Sequence, residues 1–150
     1  MKAVIQTVHN ATVSVDNNIV GSIDDGMLIY YGVAKDDDEK DVIPFFEKIL
    51  KMRIFKDENN RMNLNLKSYG GSILLISQFT LETNIYAGNR PSLDSAAPGS
   101  KAKIFYEKAI AYLLSQGYKV STGEFGAHMM VSYVNDGPET FVLESRDLFK

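Results

Sequence analysis

The chain of 150 residues contains no cysteine and no tryptophan. Without cysteine there is no disulfide, no thiolate metal site and no thiol nucleophile, which fits a reducing compartment. Histidine is limited to His9 and His128, and two isolated imidazoles fall short of the ligand set that zinc takes. No apolar run approaches the roughly 20 residues of a membrane helix. The opening Met1-Lys2-Ala3-Val4-Ile5-Gln6 turns polar too early for a secretion signal. A Gly-x-Ser-x-Gly elbow and a glycine-rich phosphate loop are both missing. Positive charge is also short. The formal net charge is −3, so a broad grip on nucleic-acid phosphates is excluded and any such contact has to be local. The expectation is a cytoplasmic protein with no membrane segment, no DNA partner, no metal and no cofactor.

What is present is an ordinary globular composition, 45% hydrophobic and 23% charged, with eight Phe and eight Tyr. The length suits one domain over residues 1–150. Basic residues gather at Lys48, Lys51, Arg53, Lys56, Arg61 and Lys67, and again at Lys101, Lys103 and Lys108. They read either as solvated faces or as a modest phosphate-contacting strip.

Strand signals dominate the first third. Ala3–Val8 is rich in β-branched residues, Thr12–Val15 alternates, and Asn17-Asn18 marks a hairpin turn answered by Ile19–Ile23. Asp24-Asp25-Gly26 reads as a further turn before the apolar run Met27–Val33. Asp36–Glu39 lacks the ligand alternation of a calcium loop and suits the start of a helix instead. That helix carries Val42, Phe45, Phe46, Ile49 and Leu50 on one face, and Pro44 puts its first turn near Asp41–Ile43. Short strands are expected at Arg53–Lys56 and Met62–Leu66, and a long apolar strand at Ser72–Leu81. A loop follows over Glu82–Pro98, long enough to suggest function. Lys101–Gln116 is a second helix stopped by Gly117. Strands then fit Lys119–Thr122, Met129–Val134 and Thr140–Glu144. The sum is an α/β chain: a mixed, largely antiparallel, partly barrel-like sheet with two main helices in a single domain.

Two segments carry chemical information. Ser77-Gln78-Phe79-Thr80-Leu81 closes an apolar strand with hydroxyl, amide and aromatic groups. It reads either as a strand leaving the core or as the mouth of a pocket. Asn135-Asp136-Gly137-Pro138-Glu139-Thr140 reads as a strand-joining turn. Yet Gly137 tolerates positive φ, and Gly-Pro is a bond for which the cis form is accessible. A cis bond there would aim neighbouring carbonyls in one direction, as a rigid acceptor surface free of side chains.

Together the two segments resemble the D-aminoacyl-tRNA deacylase family. The first matches that family's leading motif throughout, and the second fits its Asn-x-Gly-Pro-x-Thr pattern. The likeness extends through Val4-Ile5-Gln6, Gly32-Val33, Arg53-Ile54-Phe55, Met62-Asn63-Leu64, Gly88 with Arg90-Pro91-Ser92, and Thr122-Gly123 with Phe125-Gly126-Ala127. It implies hydrolysis of the ester between a D-amino acid, or glycine, and the terminal adenosine of tRNA. It implies a homodimer with the site at the interface, where Gly137 and Pro138, joined by a cis bond, reach into the partner's pocket. Ser77, Gln78, Phe79 and Thr80 would line that pocket, with Phe125 and Met129 as further wall. The catalytic set is then Gln78, Phe79 and Thr80, and the substrate-binding set Ser77, Phe125, Met129, Gly137 and Pro138.

No base accompanies Thr80, and a free hydroxyl needs one to act as a nucleophile. Thr80 therefore reads as a positioning group, and the resemblance implies that the adjacent 2′-hydroxyl of the RNA assists hydrolysis. One departure stands out: the family usually has Arg after the opening Gln, and this chain has Thr7, which cannot supply a charged fork of donors. A non-catalytic module that binds an RNA end or a translation factor, and a metabolite-binding or structural dimer, are the competing readings.

Overall fold

A computed structural model describes residues 1–149. Its frame is one long hairpin. Strand β1 (Lys2–Val15) pairs antiparallel with β2 (Asn18–Gly32) along nearly its whole length. The turn is Asp16-Asn17, one residue earlier than the sequence signal, with φ of 49° and 66°. Asp and Asn tolerate that left-handed region and give the primed turn that matches strand twist. Asp24-Asp25-Gly26 is not a turn. Pairing runs through it, His9 against Asp25 and Val8 against Gly26, because both strands of the hairpin are long enough to stay in register past it.

Helix α1 (Val42–Lys51) buries Val42, Phe45, Phe46, Ile49 and Leu50, as its periodicity requires. A short 3₁₀ turn, Glu39–Asp41, precedes it, capped by the Asp38 carboxylate on Lys40 N–H. The acidic run thus begins a helix. Strands β3 (Phe55–Lys56) and β4 (Met62–Leu64) form a separate two-stranded ribbon. Leu66 does not extend β4 but opens α2 (Leu66–Tyr69), because Asn65 caps it through Ser68 N–H.

Strand β5 (Ser72–Ser77) then lies parallel to β2, and β6 (Val120–Thr122) parallel to β5 after helix α3 (Gly99–Ser115). The last strand, β7 (Met130–Glu144), returns antiparallel to β1 and leads into α4 (Ser145–Leu148). The sheet order is β6-β5-β2-β1-β7, mixed and open at both edges rather than closed. Two main helices accompany it, as expected.

The central strands are buried on both faces, which explains their unbroken apolar runs. Ile5, Ile29, Tyr31, Ile73 and Leu75 pack with Phe45, Phe46, Ile49, Phe105 and Leu113 of the helices. Leu28, Leu74 and Ile76 face the other way, against Val8, Val13 and Ile23 of the curled hairpin and Met129, Val131 and Tyr133 beyond. That second face, near the carboxyl ends of β2 and β5, holds the site.

Candidate active site

Parallel strands β2 and β5 end side by side, with Tyr31 opposite Ser77. The carboxyl ends of parallel strands are where open α/β sheets place their ligands. There Gln78 N–H donates to the Tyr31 carbonyl at 2.8 Å. The expected strand through Leu81 stops at Ser77. Phe79–Glu82 instead forms a 3₁₀ turn, because the Gln78 side-chain oxygen caps Thr80 N–H at 3.3 Å. Gly32 permits this approach: a Cβ there would lie 2.9 Å from Gln78 O and 3.0 Å from Leu81 Cβ.

Beside this turn lies a cavity of about 760 Å³, within the range of roughly 300–1,000 Å³ typical of small-molecule sites. Ser77, Gln78 and Phe79 form one wall, and Phe125 and Met129 line it as well. Phe79 is half exposed at the mouth. Thr80 stands outside the lining of the single chain. It is exposed, and its hydroxyl has no hydrogen-bond partner among the described residues. Phe125 rests on Tyr106, ring centroids 5.7 Å apart. Burial pushes the Tyr106 phenol up to about 12, and its hydroxyl donates to the Leu75 carbonyl at 2.6 Å.

Sequence reasoning missed several lining residues. Leu93 and Ala96–Gly99 close one side, since Ala97 N–H and Lys35 N–H stitch the loop to the end of β2 by bonds to Val33 O and Ser95 O of 2.9 and 3.0 Å. The length of that loop was the only advance signal. His128 and Tyr30 also border the cavity. Burial, and then the neighbouring Tyr133 hydroxyl, hold the Tyr30 phenol well above its ordinary range.

Gly137 and Pro138 are not part of this cavity. They belong to a wide bulge in the middle of β7, not to a turn between two strands. Gln6 pairs with Thr140 and Val8 with Asn135, so Thr7 alone faces the four residues Asp136–Glu139. Both flanks pair with β1, and the surplus residues are forced outward. The Gly137–Pro138 bond is cis, and Gly137 has φ of 119°, a conformation that side chains resist. Both residues are exposed.

Neutral hydrogen bonds brace the bulge. Thr7 Oγ1 donates to Asp136 O at 2.8 Å. Asn135 Nδ2 donates to Thr7 O and Glu139 O, each at 3.1 Å. Gln6 Nε2 donates to Asn135 Oδ1 at 3.2 Å and Thr140 Oγ1 at 3.0 Å, while its Oε1 accepts from Tyr133 at 2.7 Å. In place of an arginine fork, Thr7 supplies one bond and its neighbours the rest.

The basic groups are partly engaged in structure. Arg53 Nε donates to Asn63 O at 2.8 Å, and Lys101 Nζ to Lys35 O at 2.6 Å. Lys48, Lys51, Lys56, Arg61 and Lys67 are exposed. Among the described residues no group of three or more His, Cys, Asp or Glu is placed to hold a metal ion, and no helix is long and apolar enough to cross a membrane.

Residues 4–144 match the family described as D-Tyr-tRNA(Tyr) deacylase. The chain is 48% identical over 149 residues to the D-aminoacyl-tRNA deacylase of Thermosipho africanus (strain TCF52B), covering 99% of this chain and 100% of that protein. It is 49% identical over 149 residues to the D-aminoacyl-tRNA deacylase of Kosmotoga olearia, with the same coverage. A solved structure described as c-Myc DNA Unwinding Element Binding Protein superposes with a TM-score of 0.89 at 34% identity, covering 96% of this chain and 98% of that one.

Proposed function

Since the chain belongs to the D-Tyr-tRNA(Tyr) deacylase family, we propose that it hydrolyses the ester joining a D-amino acid, or glycine, to the 3′ end of tRNA, as a cytoplasmic homodimer. The carrying observation is the separation of the two motifs. One lines a cavity of about 760 Å³. The other stands exposed on a bulge of β7, outside that cavity. A second copy brings them together, with the Gly137–Pro138 backbone of one protomer entering the cavity of the other.

In this reading the cavity takes the aminoacyl group and the terminal adenosine. Ser77, Gln78 and Phe79 orient the ester, with Phe125 and Met129 as further wall. The Gly137–Pro138 backbone receives the α-amino group. A D side chain then points outward, glycine has none, and an L side chain is driven against the backbone wall. Selection is therefore strong for chirality and weak for side-chain identity. Water adds to the ester carbonyl, the carbon–oxygen bond to the ribose breaks, and the proton passes to the leaving 3′ oxygen. The neighbouring 2′-hydroxyl of the RNA assists, so the protein contributes orientation and hydrogen bonding more than a nucleophile. Thr80, whose hydroxyl has no basic neighbour at hydrogen-bond distance among the described residues, positions rather than attacks.

The direct test incubates purified protein with D-tyrosyl-, L-tyrosyl- and glycyl-tRNA. The D and glycyl esters are expected to be cleaved and the L ester spared. Equal cleavage of both tyrosyl enantiomers would refute the selection. A strict monomer by light scattering would remove the shared site. Thr80→Ala is expected to keep turnover, and its loss with substrate binding intact would restore the nucleophile view. A second reading, a non-catalytic nucleic-acid-binding module, draws on the name of the DNA-element-binding structure at 34% identity. Turnover of the D ester decides against it.

A further inference from the structure

The bulge carrying Gly137 and Pro138 has one charged attachment among its neutral ones. His9 follows Thr7 by two positions on β1, so the two side chains leave the strand on the same side. The His9 ring lies between two carboxylates from different strands. Its Nδ1 is 2.6 Å from Asp25 Oδ1 on β2, and its Nε2 is 3.3 Å from Asp136 Oδ2 on the bulge. A neutral imidazole has one N–H and can donate to only one of them, whereas an imidazolium donates to both. Deprotonation therefore releases one contact and leaves two like charges beside an uncharged ring.

The surroundings are defined. Lys56 of β3, Tyr69 of α2 and Glu139 of β7 border the same small pocket of about 70 Å³, together with Thr7, His9, Asp136 and Gly137. Hydrogen bonding to Asp25 is the main cause that holds the His9 imidazole above its ordinary value; desolvation opposes it, and the charges of Asp25 and Asp136 add to it. Burial, and then Asp25 and Asp136, push the Tyr69 phenol up, so Tyr69 stays a neutral neighbour near pH 7.

We propose that His9 is a positioning residue whose imidazolium, bridging Asp25 and Asp136, pins the bulge that presents the Gly137–Pro138 backbone and makes that presentation depend on pH near neutrality. Its consequence for chiral selection rests on the deacylase reading; the tether itself does not. Where Thr7 supplies a single neutral bond to the Asp136 carbonyl, His9 supplies the charge from the next position on the same face.

The test has a spectroscopic and a kinetic arm. In the full chain, the His9 ring and the Gly137 amide are followed by NMR across the neutral range. The Gly137 amide is expected to titrate with the His9 midpoint, and to lose that inflection in His9→Gln. Asp136→Asn and Asp25→Asn should each lower the His9 midpoint, which keeps the idea testable if His9→Gln folds poorly. A Gly137 amide indifferent to His9 titration overturns the tether.

In the kinetic arm, D- and L-tyrosyl-tRNA cleavage is measured above the uncatalysed rate. The wild-type D-over-L ratio is expected to fall about two- to fivefold between about pH 6 and about pH 8, the span an exposed ion pair can shift. His9→Gln should give the low ratio at both pH values, and His9→Lys, a cation throughout, should hold the high one. A His9→Gln profile superimposable on wild type overturns the positioning role. Absence of D-ester cleavage by wild type at every pH overturns the functional reading alone, since the NMR arm still decides the tether.

Discussion

Gly32→Ala isolates the link between the end of β2 and the motif at Ser77–Phe79. The new Cβ would sit 2.9 Å from the Gln78 carbonyl oxygen, 3.0 Å from Leu81 Cβ and 3.3 Å from Glu82 Cγ. Ordinary contact between such atoms lies near 3.5–4.0 Å, so roughly half an ångström must be found. The Gln78 carbonyl is backbone, and the next residues are locked in a capped 3₁₀ turn, so the turn moves as a unit. Gly32 is not in the left-handed region, so backbone conformation adds nothing to the cost. Overpacking of this kind destabilises by about 1–3 kcal/mol. An ångström of misplacement costs on the order of 100-fold in rate, so half of that predicts about a tenfold fall in kcat/KM. Urea unfolding measures the first effect and D-tyrosyl-tRNA turnover the second. Gly88→Ala, where no atom of the described residues lies within 4 Å of the added Cβ, controls for the stability effect of the substitution itself. If Gly32→Ala unfolds and turns over like wild type, the close approach does not position the turn and the reasoning fails.

Three further outcomes are expected. Phe45→Ala removes a fully buried ring that packs against Tyr31 and Phe46; it should cost about 3–5 kcal/mol in urea unfolding. Tyr106→Phe deletes the buried bond to Leu75 O and should cost about 1–2 kcal/mol, with a smaller loss refuting the bond's importance. Glu82 is the third case. It is buried, and desolvation raises its carboxyl pKa against the opposing pull of the Met1 ammonium and Lys2. A carboxyl whose folded pKa lies above its unfolded value stabilises the fold below the unfolded value, and that stability is lost as pH rises through the folded one. Wild type should therefore gain stability relative to Glu82→Gln as pH falls from neutral into the acidic range. A flat or opposite difference between the two unfolding curves would contradict this.

The elements most legible in the sequence are those whose burial is local and periodic. The apolar stripe of α1 lies where its pattern puts it, the run Met27–Val33 forms the end of β2 as far as Gly32, the strand expected over Ser72–Leu81 begins at Ser72 but stops at Ser77, and the helix expected over Lys101–Gln116 spans Gly99–Ser115. The errors lie where a distant partner overrides a local signal. Asp24-Asp25-Gly26 has turn composition but is held extended by β1, paired from Val8 to Ala11. Asn135–Pro138 likewise has turn composition, yet both flanks pair with a single strand and a bulge results. Leu81 continues an apolar run, but a side-chain cap at Gln78 bends the chain before it.

The sequence by itself determined the family, through Ser77–Leu81 and Asn135–Thr140, because motif identity needs only residue order. It also determined the two-helix mixed sheet, because periodicity reports which face of an element is buried. Tertiary structure alone decided the cavity, since Tyr30, Leu93, Ala97 and His128 meet Gln78 only when β2, the long loop and the segment before β7 converge. It alone decided that Gly137 and Pro138 stand apart from that cavity. And it alone set His9 between Asp25 and Asp136, because such a bridge depends on strand register, which pairs residues far apart in sequence.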